Sequence, residues 1–343
     1  MVAVVATHVQ ELTPDLPFVI KRCADFAASG VLLFFVVSAF TLTASWQRRG
    51  DGAIAFYIRR LFRIAPAFWL AAVFYLAFPW WARSYWAPNG VTGSTVALTF
   101  LFLNGWSPEM FNTVVPGGWS IATECGFYVV FPVLATLLRT AGTTLVACLL
   151  TAVLVVTTTP WVFAILKEIY PQTPAELLSR FQTMWLPGAL YTFLAGMAAW
   201  WATTVGKVPR VMAEIEVAAA LVLTLSLPFA TPPLPLANLG PTVAFALLIH
   251  GLASGGGSYL INRFIARVGV VSFSIYLWHF EIVMLLRGVL IQEHGWHGAD
   301  FALWFGVVLA ASYAVAEVSY RLIERPFMEL GASLVRRRAA IAT

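Results

Sequence analysis

The sequence predicts an all-α, polytopic transmembrane helix bundle with about ten spanning helices and one short re-entrant segment, forming a single membrane-embedded domain over residues 1–343. Two observations carry this expectation. Hydrophobic residues make up 60% of the chain and charged ones only 11%, against roughly 25% charged in a soluble domain, and the mean hydropathy is +0.82. The apolar residues also gather into separate runs, each close to the roughly 20 residues that cross a bilayer as a helix. The 14 Trp and 10 Tyr suit a chain with two membrane interfaces to anchor.

Taken in order, residues 1–12 read as the end of a helix rather than a whole one. Apolar runs follow at 27–46 and 64–82. The stretch GSTVALTFLFLNGW, 93–106, is too short to span easily and is read as re-entrant or half-buried. Further runs at 119–138, 143–166, 184–204, 212–230, 236–253, 268–292 and 300–322 complete the set, with no repeat or low-complexity tract. Orientation follows from the excess of Lys and Arg expected in cytoplasmic loops. With the amino terminus cytoplasmic, that side receives Arg48, Arg49, Arg59, Arg60, Arg63, Arg139, Lys207, Arg210, Arg263, Arg267, Arg325, Arg336, Arg337 and Arg338, which is 14 of the 21 cations. Lys21, Arg22, Arg83, Lys167 and Arg180 fall outside. Both termini are therefore expected on the cytoplasmic face, with membrane lipids as the surroundings.

Several classes are excluded as expectations. The net charge of +5 comes without a basic block interleaved with stacking aromatics, so no nucleic-acid partner is expected. Cys23, Cys125 and Cys148 show no CxxC and no metal spacing, so neither a disulfide framework nor a metal site is expected. The first residues lack the basic segment and small-residue cleavage site of a signal peptide.

The chemistry concentrates in two stretches. In AFYIRRLFRIAPAFWLAAVFYLAF, 55–78, helical spacing crowds Arg59, Arg60 and Arg63 on one shoulder. Two readings stand: a topological anchor snorkelling to lipid phosphates, or a docking site where guanidinium forks grip a cytoplasmic polyanion. In PGGWSIATECGFYVVFPV, 116–133, Glu124 sits inside a run with no other charge, where an ionisable group is expensive and usually functional or paired. Ser120 lies four residues before it on the same face, behind Gly117–Gly118; a capping role near the helix start is the plainer alternative. Of the five histidines, His294 and His297 belong to a polar outer loop and His250 ends an apolar helix at an interface. His279 lies two residues from Glu281 within SFSIYLWHFEIV, and His8 closes MVAVVATH. A neutral imidazole in such surroundings is a proton acceptor or a satisfied polar contact.

Five strings occur together and in order: FFVVSAF (34–40), RRLFRIAPAFW (59–69), GWSIATECGFYVVFP (118–132), SFSIYLWHF (272–280) and SYRLIERPF (319–327). In this the chain resembles the acyltransferase-3 family of bacterial integral-membrane O-acyltransferases, over nearly its whole length. The resemblance implies a multi-pass inner-membrane enzyme that takes an acyl group, acetyl in the simplest case, from cytoplasmic acyl-coenzyme A. It passes that group to a hydroxyl of a cell-surface or secreted glycan. It implies His8 as the catalytic histidine and Arg59, Arg60 and Arg63 as the donor-binding arginines. Trp119, Ser120 and Glu124 match one family motif, and Tyr276, Trp278 and His279 another, as substrate or structural positions. Glu124 is the expected partner that orients the His8 imidazole, and a covalent acyl-histidine relay stands beside direct transfer. Two departures are visible. Ala39 stands where the family has a glycine, and the arginine that the family carries upstream of its histidine has no counterpart in the seven residues before His8, so a start further upstream is expected. The rival classes are a transporter or flippase for a lipid-linked sugar and a non-catalytic membrane subunit of an export complex.

Overall fold

The computed structural model describes residues 1–11, 15–78, 87–290 and 300–342, and among these every regular element is helical. Arg83, His294 and His297 lie outside the described residues. The chain begins with α1 (Val2–Gln10), α2 (Phe18–Phe26), α3 (Gly30–Arg49) and α4 (Gly52–Ala77). Then come α5 (Gly93–Phe100), α6 (Gly118–Leu137), α7 (Ala141–Ile169), α8 (Ala175–Met184), α9 (Leu186–Val205) and α10 (Arg210–Ser226). The remainder is α11 (Leu234–Ala237), α12 (Leu239–Ala253), α13 (Arg263–Val270), α14 (Ser272–Leu290), α15 (Phe301–Ser319) and α16 (Arg325–Ala342).

Among the described residues, seven helical segments are long and apolar enough to cross a membrane, and eight when the α13–α14 pair, bent by 74°, counts as one broken span. The protein is thus a multi-pass, all-α bundle, although the expected ten spans are not all present as such. Three differences explain the gap. α1 has nine residues, well short of a crossing. α9 has the length, 20 residues, but Tyr191, Thr192, Trp200 and Trp201 dilute its hydropathy. It compensates by being interior: half of its residues are buried, and it packs on α3, α7 and α12. The third is the run expected at 268–292, which breaks at Val271 into α13 and α14 rather than forming one straight helix.

The segment at 93–106 behaves as its length dictates. Thr92 and Thr95 form a reciprocal capping box that starts α5, and after eight residues the chain turns back through Phe102 in a left-handed conformation, φ 59°. α7 is the opposite case, with only 6% of its spanning window buried and Leu149, Leu150, Val153 and Leu154 exposed; it suits a lipid-facing position. Near the carboxyl end, a π-helical turn at Tyr320–Glu324 joins α15 to α16, giving one helical run of 41 residues, Phe301–Ile341.

Lipid chains are as apolar as Leu, so helices in a membrane associate through close packing and small residues rather than through water exclusion. A stack of aromatic rings provides that packing: Phe35 on Phe193 at 4.4 Å and Phe193 on Phe127 at 4.1 Å tie α3, α9 and α6 together. Gly196 lets α3 and α9 touch backbone to backbone, since a Cβ there would stand 2.2 Å from the Val36 carbonyl oxygen and 3.0 Å from Ala39 Cβ. Ala39, the departure from the family glycine, is fully buried in this contact.

Candidate functional site

The site is built where α1, α3, α4, α6, α14 and the α15–α16 junction meet, and it has two polar layers. The upper one begins at Gly117, which precedes α6 with φ 78°. An L side chain is strained there, and an added Cβ would lie 2.5 Å from the Tyr276 hydroxyl. That approach lets Tyr276 donate to the Gly117 carbonyl at 2.8 Å, while Ser120 donates to the Tyr276 oxygen at 2.7 Å. Ser120 and Tyr276 are 1% and 5% exposed.

One turn further along α14 is His279, 2% exposed. Its Nδ1 stands 2.7 Å from the Tyr276 carbonyl and 3.1 Å from that of Ile275. Carbonyls only accept, so Nδ1 carries the proton and Nε2 the lone pair. The His279 ring lies 5.3 Å from that of His8, centroid to centroid, and the His8 ring also meets Phe280 edge-on at 5.3 Å. His8 has a 27% exposed side chain with Nδ1 3.5 Å from Glu11 Oε1. The structure therefore brings together His8, His279, Tyr276 and Ser120.

Glu124 belongs to the lower layer. It is 2% exposed, and Oε1 accepts from Ser38 at 2.6 Å and from Tyr128 at 2.5 Å. Its hydrogen bonds thus go to hydroxyls, not to the His8 imidazole. Position also rules out the capping alternative: α6 starts at Gly118 without a side-chain cap, and Glu124 is two turns in. Arg60 and Arg63 attract its carboxylate from a distance, without an ion pair to it among the described residues. Arg63 also attracts Glu324, a 1% exposed carboxylate that accepts from Ser274. Glu324 lies in the π-helical turn, a feature common at functional sites.

The three arginines diverge. Arg59 donates from both terminal nitrogens to Asp51, at 2.5 and 2.7 Å, and the Arg59 guanidinium holds the Asp51 carboxyl below its ordinary range. Arg60 lies over the rings of Phe56 and Tyr128, 5.9 Å from each centroid. Arg63 reaches Met328 Sδ of α16 at 3.8 Å. Arg60 and Tyr128 also line a groove of about 720 Å³ between α4, α6 and the 101–106 turn, whose other walls include Ile64, Phe102, Gly126 and Leu186.

Trp119 packs edge-on against Phe35 at 6.2 Å, and Trp278 donates to Ser319 at 3.1 Å while meeting Phe74 edge-on. Both are structural neighbours of the polar layers. His250 is no bare interfacial residue: its Nδ1 is 2.7 Å from Glu216 Oε2, joining α12 to α10. Sequence reasoning missed Asp51, Ser38, Tyr128, Ser274 and Glu324. A signal existed for Glu324, a carboxylate in the motif SYRLIERPF at the end of an apolar run, where an uncompensated charge is costly. Among the described residues no group of three or more His, Cys, Asp or Glu is arranged to hold a metal ion.

The family model described as an acyltransferase domain matches residues 1–321. Acyltransferase MdmB of Streptomyces mycarofaciens is 28% identical over 339 residues, covering 91% of this chain and 83% of its own. Nodulation protein 10 of Rhizobium leguminosarum bv. viciae is 26% identical, covering 92% and 86%. Exopolysaccharide production protein ExoZ of Rhizobium meliloti (strain 1021) is 27% identical, covering 89% and 90%. No solved structure matches.

Proposed function

The chain belongs to this acyltransferase family, a multi-pass membrane transferase of acyl groups, and from that premise we propose that it moves an acetyl group from acyl-coenzyme A to a hydroxyl of a surface or secreted glycan. In this reading both termini are cytoplasmic, the membrane is the bacterial inner membrane, and the donor arrives from the cytoplasm. The observation that carries it is Arg60 on α4, which lines the apolar groove, with Arg59 and Arg63 on the same helix. Coenzyme A has a pyrophosphate, a 3′-phosphate and a long neutral arm. Arg59, Arg60 and Arg63 suit the phosphates through charge-assisted hydrogen bonds, and the groove lined by Arg60 and Tyr128 suits the arm. The similarity to an exopolysaccharide production protein supports a glycan as acceptor.

His8 is the base. It takes the proton of the acceptor hydroxyl as that oxygen attacks the thioester carbonyl; the new C–O bond forms, the C–S bond breaks, and the departing thiolate receives the proton back from the imidazolium. A positioned base supplies typically about 10²–10⁴-fold, and orientation of the two substrates can supply more. Glu124, together with Glu324, serves as the buried acidic neighbour of Arg60 and Arg63. Incubating membranes that contain the protein with labelled acetyl-coenzyme A and extracted surface glycan tests the proposal. Label in the glycan that depends on the protein supports it, and absence of label with every glycan and acyl length tried contradicts it.

A further inference from the structure

Three facts about His279 are unexplained by a packing role. It is 2% exposed on α14, its Nδ1–H is committed to the carbonyls of Tyr276 and Ile275, and its Nε2 is a buried lone pair with no hydrogen-bond partner among the described residues. An unsatisfied buried acceptor destabilises the fold, and a Phe or Leu would fill the space without that penalty. Beside it, on a ring 5.3 Å away and tilted by 38°, His8 Nδ1 is buried and makes no hydrogen bond among the described residues. Its acidic neighbour is Glu11 Oε1 at 3.5 Å.

We infer that His279 is the positioning partner of His8: its Nε2 accepts a hydrogen bond from the His8 ring while the opposite nitrogen of His8 takes the acceptor's proton. The spacing suits this. Two imidazoles joined nitrogen to nitrogen at about 2.9 Å hold their centroids about 5 Å apart, so rotation of the His8 side chain closes the contact without moving either helix. Burial sorts the roles. The His8 side chain is 27% exposed and reachable by a substrate, whereas His279 is sealed in. The tautomer sorts them as well, because the carbonyls fix His279 as an acceptor at Nε2. It then does what a carboxylate does for a catalytic histidine elsewhere, holding one tautomer and orientation and stabilising the imidazolium, without placing a second charge in the membrane. No proton passes to His279; the proton taken from the hydroxyl leaves His8 for the thiolate. The competitor for this role is Glu11, 3.5 Å from His8 Nδ1 but 58% exposed, where water weakens its hold.

The inference rests on the reading of His8 as base, and the experiment separates the two. An Asn side chain reproduces the Nδ1 donor of His, and a Gln side chain reaches the Nε2 position. His279→Asn therefore keeps the bonds to the carbonyls and removes the acceptor, while His279→Gln restores an acceptor. Purified variants are assayed for turnover and for coenzyme A binding, beside His8→Ala and Glu11→Gln. We expect His279→Asn to lose about 10- to 100-fold in kcat, as for a misplaced catalytic group, with KM and donor affinity unchanged. His279→Gln should stay within about fivefold of the parent because it retains an acceptor, and Glu11→Gln closer still, because Glu11 is solvent-exposed. Parental kcat in His279→Asn, equal loss in the Asn and Gln variants, a loss confined to KM, or a larger loss in Glu11→Gln overturns the partnership. Substantial turnover in His8→Ala overturns instead the reading of His8 beneath it.

Discussion

His8 and His279 come from helices near opposite ends of the chain, yet their imidazoles lie 5.3 Å apart. One belongs to the short α1 and is partly open, the other to α14 and is closed off. α1 packs on α14 and α15, so the histidine pair depends on how the first helix is seated against the last ones. Any change that loosens α1, even far from the imidazoles, should lower turnover before it unfolds the protein.

The first prediction concerns Gly117 and Tyr276. Gly117→Ala adds a Cβ at φ 78° and 2.5 Å from the Tyr276 hydroxyl. Backbone strain of this kind costs about 1–3 kcal/mol, and the clash adds to it. Tyr276→Phe alone loses hydrogen bonds with Ser120 and Gly117, about 0.5–1.5 kcal/mol each. Because the same oxygen causes the clash, the double variant should be more stable than the sum of the two single losses, as thermal unfolding in detergent reads it. Strict additivity would mean that the close approach is not what requires glycine.

A second prediction separates stability from donor binding at Arg59. Its pairing with Asp51 is partly solvent-exposed, and such pairs contribute about 0.2–1 kcal/mol, so Arg59→Ala should barely alter the melting temperature. Coenzyme A affinity should fall, because a charge-assisted contact is worth about 1.5–3 kcal/mol. Asp51→Asn should do the reverse and tighten the donor by a few fold, since it removes the anion that occupies the guanidinium. Unchanged affinity in both variants would leave Arg59 as a topological anchor alone.

The same pair sets a pH dependence. The hydrogen bond from Arg59 lowers the folded-state pKa of Asp51, so the stability it contributes is present above the unfolded carboxylate value, about 3.9. It is lost as pH falls through the lowered folded value. Between pH 5 and 8 the Asp51→Asn gain in donor affinity should therefore be constant. A gain that disappears on going from pH 8 to pH 5 is the contrary result.

Glu124 offers a stability test. Neutralising Glu124 takes a buried acidic neighbour from Arg60 and Arg63, which costs less than the roughly 3–5 kcal/mol of a directly bonded buried pair. Glu124→Gln keeps groups able to meet Ser38 and Tyr128 but not the charge, and should still lower the unfolding temperature clearly. Glu124→Gln with parental stability would assign the cluster's balance to Glu324 alone.

The long elements were legible because apolar length alone specifies them: α3, α4, α6, α7, α10, α12 and α15 each overlap an expected run. α8 and α13 were not legible, being short helices of eight to ten residues with mixed composition and no long apolar run to announce them. In the site, Ser120 and Glu124 could be placed on one face of α6 from their spacing. The nearness of Glu124 to the arginines of α4 was open to inference, since charges inside neighbouring spans are expensive and are usually functional or compensated. The nearness of His8 to His279 was not, because nothing local in either segment fixes the packing of α1 on α14.

The central claim is that His8 is the base, and it is tested most directly by His8→Ala assayed with labelled acetyl-coenzyme A and glycan, with donor binding measured on the same preparation. The account predicts a loss of transfer of about 10²–10⁴-fold with coenzyme A affinity equal to the parent, because the base acts only after both substrates are in place. Near-parental transfer, or a loss matched by an equal loss of donor binding, would contradict it.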